Sequence, residues 1–174
     1  MSDSGLEKRF EGLIEEHSDM VTRICMLMLG NMIDAQDAYL SSFEKLFIAL
    51  KKGREPEDIK RWLAKVAYNE CRSMLRFMFR HKTQSLEDIK VPFKRQEELE
   101  FIELLYTLNA KYRNVLYLYY NEGYTTAEIA AMTSQREGTV RSQLKRARDK
   151  LRAAAEKIDK KGECSDETLN EADR

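Results

Sequence analysis

The sequence predicts an all-α protein made of two small helical domains joined by a flexible linker. Three observations support this fold class. Apolar residues recur at spacings of three and four over most of the chain, as on the buried face of a helix. Only two prolines and seven glycines occur among the 174 residues, so few positions interrupt a helix. Residues 83–96 have a weak apolar pattern and contain Ser85 and Pro92, which is typical of a linker.

The two periodic halves define the expected domains. The first covers residues 1–82 and the second covers residues 97–158, with 83–96 between them. Residues 159–174 are polar and acidic, which predicts a disordered tail. Asp34 is the expected N-cap of a helix in the first domain. The helices predicted in that domain cover residues 6–16, 20–30, 34–51 and 56–80.

The charge distribution indicates two contacts with an anionic partner. The whole chain has a net charge of zero. Residues 51–82 nevertheless contain ten basic and four acidic side chains, and residues 136–157 contain eight basic and three acidic ones. Because attraction to phosphate is local and is screened beyond about 10 Å, two basic islands can bind nucleic acid even on a neutral chain.

The first island lies on one face of the helix predicted over 56–80. Its polar residues recur at intervals of three and four, so they form a row along the helix. Solvated helix faces usually mix both signs, whereas this row carries one sign of charge and one amide. Such a row suits a phosphate backbone and exposed bases. We call it the basic row, and its members are Arg61, Lys65, Asn69, Arg72, Arg76 and Arg80.

The second island lies within residues 124–151, which have the pattern of a short helix, a polar turn and a basic helix. Thr125 and Glu128 have the spacing of a capping box at the start of the short helix. This is the helix-turn-helix arrangement, in which the second helix enters the DNA major groove. On periodicity and charge alone, a helical hairpin with a solvated cationic face is slightly favoured over this arrangement. The apolar face of the basic helix consists of Val140, Leu144, Ala147 and Leu151.

The sequence allows two starting points for the basic helix. In one, Ser134 lies in the turn, at some conformational cost if its φ is positive, and Arg136 precedes the first helical turn. In the other, Ser134 and Glu137 form a capping box and the helix begins earlier. The second solution would rotate the residues that face DNA.

Residue strings in both islands resemble one protein family. EGTVRSQLKRARDKL, residues 137–151, is similar to the DNA-reading helix of region 4 in bacterial sigma factors, especially those of the extracytoplasmic-function (ECF) group. WLAKVAYNECRSMLR, residues 62–76, resembles the part of region 2 that melts and reads the downstream promoter element. The resemblance implies a sigma-70 family protein, with a region 2 helical bundle followed by a region 4 helix-turn-helix domain.

The resemblance also implies roles for three sets of residues. The basic row would hold the downstream promoter element. The upstream element would be bound by Arg136, Glu137, Thr139, Arg141, Ser142, Lys145, Arg146 and Arg148. Core RNA polymerase would be bound by the helix that starts with the family-like string Asp34-Ala-Gln-Asp37. The residues expected at that contact are Asp34, Asp37, Leu40, Ser41 and Lys45, with Leu40 and Ser41 in place of the family's usual polar pair.

The function implied is that of an alternative sigma factor, which binds core RNA polymerase and directs promoter recognition, DNA melting and transcription initiation. The expected partners are core RNA polymerase, promoter DNA and an anti-sigma factor. A stand-alone dimeric helix-turn-helix regulator would explain residues 108–157 but not the basic row. A sigma-like interaction protein with weakened core binding would be consistent with Leu40 and Ser41.

Other function classes find little support in the sequence. His17 and His81 lie in no metal or triad spacing, and the seven glycines form no phosphate-binding loop. An enzyme is therefore disfavoured, and no catalytic residue, metal or cofactor is expected. The three cysteines are odd in number and far apart, which excludes a disulfide framework. The longest apolar run, residues 24–29, is too short to insert in a membrane, and no signal peptide is evident, so a cytoplasmic protein is expected.

Overall fold

The computed structural model describes residues 3–81 and 105–170, with side chains over 4–80 and 105–156. These residues contain helices and no strand, so the predicted all-α class is confirmed. The linker predicted over 83–96 lies outside the described residues. The helices are α1 (Asp3–Leu29), α2 (Met32–Lys51), α3 (Ile59–His81), α4 (Ala110–Tyr120), α5 (Thr126–Thr133) and α6 (Glu137–Asn170).

The helix α1 is continuous, whereas the sequence predicted two helices with a break near residue 18. The residues between the two predicted helices, 17–19, are polar. His17 is only 7% exposed, and the Ser18 hydroxyl lies 3.1 Å from the Tyr39 hydroxyl, so these polar groups pack within the fold. Since no glycine or proline occurs in residues 13–29, the backbone has no local reason to leave the helix.

The N-cap of α2 lies three residues before the predicted one. Asn31 is the N-cap, and its side chain accepts a hydrogen bond from the Asp34 main-chain nitrogen at 2.8 Å. The Asn31 amide also donates to the Asp34 carboxylate at 2.5 Å. Asp34 therefore lies in the first turn, where the positive end of the helix dipole favours a carboxylate.

The helices α1, α2 and α3 pack together around one apolar core, and we call this three-helix unit the first unit. Its fully buried side chains include Val21, Ile24, Leu46 and Leu63. Both cysteines of this unit are buried and free, as small core residues are.

The helices α4, α5 and α6 form the second unit. The largest side chains buried there include Leu118, Ile129, Met132 and Val140. Tyr117 and Leu118 of α4 are buried in this core, whereas Tyr119 is exposed. The second unit also packs on the first, with α4 against α1 and α5 against α3.

The helix α6 continues to Asn170, so it extends into the residues from 159 onward that the sequence predicts as a disordered tail. Alanine, lysine and glutamate, which have high helix propensity, make up eight of the eleven residues from 153 to 163, where the helix enters this stretch. A single interior glycine, Gly162, costs about 1 kcal/mol and does not end a helix that is already formed.

Candidate nucleic-acid interface

The turn between α5 and α6 has a left-handed residue at its centre. Ser134 has φ 54° and ψ 44°, and its main-chain nitrogen donates to the Ala130 carbonyl. The Arg136 carbonyl accepts from the nitrogens of Thr139 (2.9 Å) and Val140 (3.2 Å), so α6 begins at Glu137. Of the two starting points that the sequence allowed, the structure has the one with Ser134 in the turn.

The start of α5 is fixed by the capping box that the sequence predicted. The Thr125 hydroxyl accepts from the Glu128 nitrogen at 3.3 Å, and the Glu128 carboxylate accepts from the Thr125 nitrogen at 2.8 Å. Each side chain therefore satisfies a main-chain donor that the first helical turn leaves unpaired.

The predicted upstream-binding residues lie on the solvent side of α6 and its turn. Val140, Leu144 and Ala147 are buried against the rest of the second unit, so the opposite face of the helix is open. The exposed members of the predicted set are Arg136, Thr139, Arg141, Ser142, Lys145, Arg146 and Arg148. The structure thus presents the basic face of one helix to solvent, as binding in the major groove requires.

Glu137 differs from the other members of this set because it is only partly exposed and already has partners. Its carboxylate accepts from the Thr126 hydroxyl at 2.7 Å and from Arg141 Nη2 at 2.8 Å. These hydrogen bonds, with the charge of Arg141, hold the pKa of Glu137 below its usual range. Glu137 thereby ties the two helices of the motif together and orients Arg141.

The basic row lies along α3 as predicted, and its exposure changes along the helix. Asn69 and Arg72 are partly buried near the centre. The guanidinium groups of Arg76 and Arg80 donate back to the carbonyls four residues earlier, both at 3.3 Å. The exposed members are Arg61, Lys65, Arg76 and Arg80.

The end of α3 also carries an aromatic residue that the sequence interpretation did not include. Phe79 is 80% exposed and lies between the last two arginines of the row in sequence. An exposed aromatic ring beside cationic groups is suited to stacking on an unpaired base. The signal available in the sequence was that Phe79 does not share the spacing of the buried residues of α3.

Of the five predicted polymerase-contacting residues, Asp34 is partly buried and is hydrogen-bonded to Asn31, and the other four divide into two groups on α2. Asp37 and Leu40 point to solvent, and Leu40 is 60% exposed. The structure adds Ile33, which is 75% exposed and was not predicted. Ile33, Asp37 and Leu40 are spaced by four and three residues, so they share one face of the helix, with apolar side chains on either side of a carboxylate.

Ser41 and Lys45 belong to the second group, since both contact Glu70 of α3. The Ser41 hydroxyl donates to Glu70 Oε2 at 2.8 Å, and Lys45 Nζ forms an ion pair with Oε1. Burial opposes ionisation of Glu70, but the hydrogen bonds from Lys45 and Ser41 and the charge of Lys45 outweigh it and lower the pKa. These two residues therefore join α2 to α3.

Two family models match the chain. The model described as Sigma-70 region 2 matches residues 13–77, which lie in the first unit. The model described as Sigma-70, region 4 matches residues 98–151, which include the helix-turn-helix motif. In the part of the chain that the structure describes, no helix is long and apolar enough to cross a membrane.

Similar proteins are found among curated sequences and solved structures. The chain is 27% identical over 150 residues to the RNA polymerase sigma factor SigV of Bacillus subtilis, covering 84% of this chain and 90% of SigV. It is 27% identical over 146 residues to the ECF RNA polymerase sigma factor SigM of Mycobacterium tuberculosis, covering 82% and 74% of the two chains. A sigma factor RpoE from Bartonella quintana, solved with the anti-sigma factor NepR, has a similar fold: TM-score 0.70, 19% identity, 86% of this chain and 98% of that one.

An all-helical chain with a basic helix-turn-helix motif belongs to the DNA-binding class, and this chain has a second basic surface, the basic row, in its other unit. The family matches cover both sites in the order region 2, region 4. The chain belongs to the sigma-70 family of RNA polymerase sigma factors, in its extracytoplasmic-function group.

Proposed function

We propose that this alternative sigma factor binds core RNA polymerase through the α2 face formed by Ile33, Asp37 and Leu40, and contacts promoter DNA through α3 and α6. The observation that carries this proposal is the placement of two separate basic surfaces beside an exposed apolar and acidic face. A stand-alone regulator needs only the α6 surface, so it leaves α3 and the α2 face without a purpose.

The polymerase contact is supported by exposure and composition. Large apolar side chains rarely stand in solvent together unless they meet a partner. Ile33 and Leu40 can be buried at such an interface, while the Asp37 carboxylate pairs with a basic group. Because Ser41 and Lys45 contact Glu70, they support the α2 face from behind and are secondary members of the contact.

The upstream element is assigned to α6. Arginine side chains can donate to the O6 and N7 atoms of guanine, and lysine binds phosphate as a point charge. The exposed residues from Arg136 to Arg148 supply both chemistries on one surface. Glu137 contributes by orienting Arg141, and it can accept a hydrogen bond from a cytosine amino group if that pairing opens.

The downstream element is assigned to α3. Arg76 and Arg80 are exposed cations for phosphates, Asn69 is an amide for a base edge, and Phe79 is a ring for stacking. This combination suits a separated strand better than a duplex, whose bases offer no free face for stacking.

The remaining expectations are part of the same proposal. The first unit with residues 1–82 and the second with residues 97–158 act as separate domains, and an anti-sigma factor controls their access to polymerase. The structural neighbour RpoE was solved with such a factor, which supports this partner class. We further propose that the protein works in the cytoplasm and carries no enzymatic activity, since sigma factors act by binding.

The polymerase contact can be tested with two aspartate variants. Purified wild-type protein, Asp37→Ala and Asp19→Ala are titrated against bacterial core RNA polymerase with a labelled protein and fluorescence anisotropy. We expect tight binding by the wild type, about tenfold weaker binding by Asp37→Ala, and no change for Asp19→Ala, which removes an exposed carboxylate from α1 instead. A folded wild-type protein that binds duplex DNA but not core polymerase would overturn the proposal.

A further inference from the structure

The second unit covers the first part of the basic row with acidic side chains. Arg61 of α3 forms an ion pair with Glu128 of α5. One residue earlier, Lys60 Nζ lies 2.8 Å from a carboxylate oxygen of Glu122 and 5.7 Å from the centre of the Tyr124 ring. Two cations at the start of α3 are therefore neutralised by carboxylates from the second unit.

The contact continues to the middle of α3. Arg72 Nη1 donates to the main-chain carbonyl of Thr133 at 3.5 Å, at the end of α5. The Gln135 amide donates to the Tyr68 hydroxyl at the same distance. Burial raises the pKa of Tyr68 against the opposing charge of Arg72, so Tyr68 remains a neutral phenol in this contact. The second unit therefore contacts the basic row at Arg61 and at Arg72, whereas Lys65 between them remains exposed.

A buried polar contact holds the two units in this arrangement. Arg113 of α4, only 8% exposed, donates to the Leu27 carbonyl at 2.8 Å, and the fully buried Asn114 donates to the Ile24 carbonyl at 3.5 Å. These carbonyls belong to the last turns of α1. If the units separated, the Arg113 guanidinium and the Asn114 amide would exchange these hydrogen bonds for hydrogen bonds with water. The contact therefore favours one defined arrangement of the two units.

The contact between the units covers part of the basic row but leaves the α6 surface open. Arg76 and Arg80 at the far end of the row remain exposed, as do the α6 residues assigned to the upstream element. Oxygen atoms from Glu122, Glu128 and Thr133 stand at the near part of the row, where the proposed ligand would place phosphate oxygens.

We infer that the second unit is an intramolecular competitor of single-stranded DNA for the basic row, with the carboxylates of Glu122 and Glu128 in the places of DNA phosphates. A separated strand can bind along the whole row only after the units part, whereas duplex DNA can bind α6 in either state. This device delays the downstream contact until the protein has been opened. The inference rests on the proposed role of the basic row in holding a strand.

The competitor can be weakened without disturbing the fold of α5. Glutamine at position 128 preserves the capping box, because an amide oxygen also accepts from the Thr125 nitrogen. Glutamine at position 122 likewise retains an acceptor for the Tyr117 hydroxyl, which contacts this carboxylate. Both ion pairs are partly exposed, so their loss shifts the ratio of open to closed molecules by about fivefold. The apparent affinity for a strand rises by the same factor even if the open state stays rare.

The test compares full-length wild type with Glu122→Gln/Glu128→Gln and a charge-matched control, Glu11→Gln/Glu156→Gln, whose exposed carboxylates lie outside the contact. Each protein is titrated into a dye-labelled single-stranded oligonucleotide and into a labelled duplex, at one fixed salt concentration. We expect single-strand affinity to rise about fivefold in the Glu122/Glu128 variant relative to the control, with equal duplex affinity for both.

An Arg76→Ala variant tests DNA binding by the basic row independently of the proposed competition, because Arg76 lies on the row but outside the covered part. Suppose that Arg76→Ala weakens single-strand binding while the Glu122/Glu128 variant has the same single-strand affinity as its control. The row then binds DNA, and the proposal that the second unit competes with DNA is overturned. If Arg76→Ala leaves single-strand affinity unchanged and the Glu122/Glu128 variant has the same affinity as its control, both the DNA-binding role of the row and the proposed competition are overturned. Equal gains in affinity for duplex and for single strand would show that only the net charge of the variant matters. That result would also overturn the proposed competition.

Discussion

The Arg113 guanidinium donates to the main-chain carbonyl of Leu27 across 2.8 Å, joining two helices that are 86 residues apart in sequence. The same guanidinium lies 4.3 Å from the centre of the Tyr106 ring, and the Tyr106 hydroxyl donates to the Met26 carbonyl at 2.9 Å. The last carbonyls of a helix have no partner within it. Here the second unit supplies a donor to the Leu27 carbonyl and a second donor to the Met26 carbonyl, which also accepts from the Gly30 nitrogen, so the unit that packs on α1 helps to cap its end.

Arg113→Met is therefore expected to lower the free energy of unfolding by about 2–3 kcal/mol, because it removes a charged hydrogen bond and leaves a buried carbonyl without a donor. Burial lowers the pKa of Arg113, with the nearby Tyr106 opposing that effect, and the group remains a cation at neutral pH. Urea denaturation followed by circular dichroism measures the change. Lys8→Met, which removes an exposed cation from α1, should lie within about 0.5 kcal/mol of wild type. Equal losses in the two variants would contradict the role of the buried contact.

The contact at Arg113 also shows which part of the fold the sequence could not provide. The helical class, the capping box at Thr125 and the outward basic face of α6 all follow from local spacing, and the structure has each of them. Arg113 and Asn114 look like ordinary surface residues of α4 in sequence. Their burial depends on where a helix 86 residues earlier ends, and a pattern read within one helix contains no such information.

The candidate site divides in the same way. Exposure of the α6 residues followed from the position of Val140, Leu144 and Ala147. The partners of Ser41 and Arg61 did not follow, since Glu70 and Glu128 approach them from other helices. The family and the side chains on each surface could be predicted from the residue strings. Which of those side chains are free to bind depends on the packing between helices.

Ser134→Gly tests the strain in the turn of the helix-turn-helix motif. A left-handed conformation costs a residue with a Cβ about 1 kcal/mol, and glycine avoids this cost while losing more backbone freedom on folding. We expect a net gain of about 0.5 kcal/mol in the free energy of unfolding, measured by thermal or urea denaturation. Ser142→Gly, in the interior of α6, should instead lose about 0.5 kcal/mol, because serine is intermediate between alanine and glycine in helix propensity. A destabilised Ser134→Gly protein would mean that the turn is not strained.

Lys145→Ala tests whether the exposed face of α6 binds the phosphate backbone. Lysine contacts to phosphate release condensed counterions, so their removal lowers affinity and also flattens its dependence on salt. We expect duplex affinity to fall severalfold for every sequence tried, and the slope of log K against log salt to decrease in magnitude by about 1. Lys8→Ala, on α1, should leave both quantities unchanged. A loss confined to one promoter sequence would assign Lys145 to a base instead of a phosphate.

The Glu70 bridge between α2 and α3 makes part of the stability dependent on pH. The folded protein holds the pKa of Glu70 below its usual value of 4.5, so the unfolded state binds the proton more readily. The stabilisation is therefore complete above about pH 4.5 and is lost as the pH falls through the lower, folded-state pKa. Glu70→Gln should cost about 1 kcal/mol at pH 7, a value limited by solvent screening of the partly exposed pair with Lys45.

The difference between wild type and Glu70→Gln should shrink as the solution is acidified, because protonation removes the same charge from the wild-type carboxyl group that the substitution removes. Urea denaturation at a series of pH values from 7 to about 3.5 follows it directly. The neutral amide can still accept the hydrogen bond from Ser41, so what disappears with acid is the ion pair with Lys45. Glu11→Gln on the exposed side of α1 is the matched control, with a small effect expected throughout. A Glu70→Gln deficit that is the same at every pH would show that shape and hydrogen bonding hold α2 to α3, with no contribution from charge.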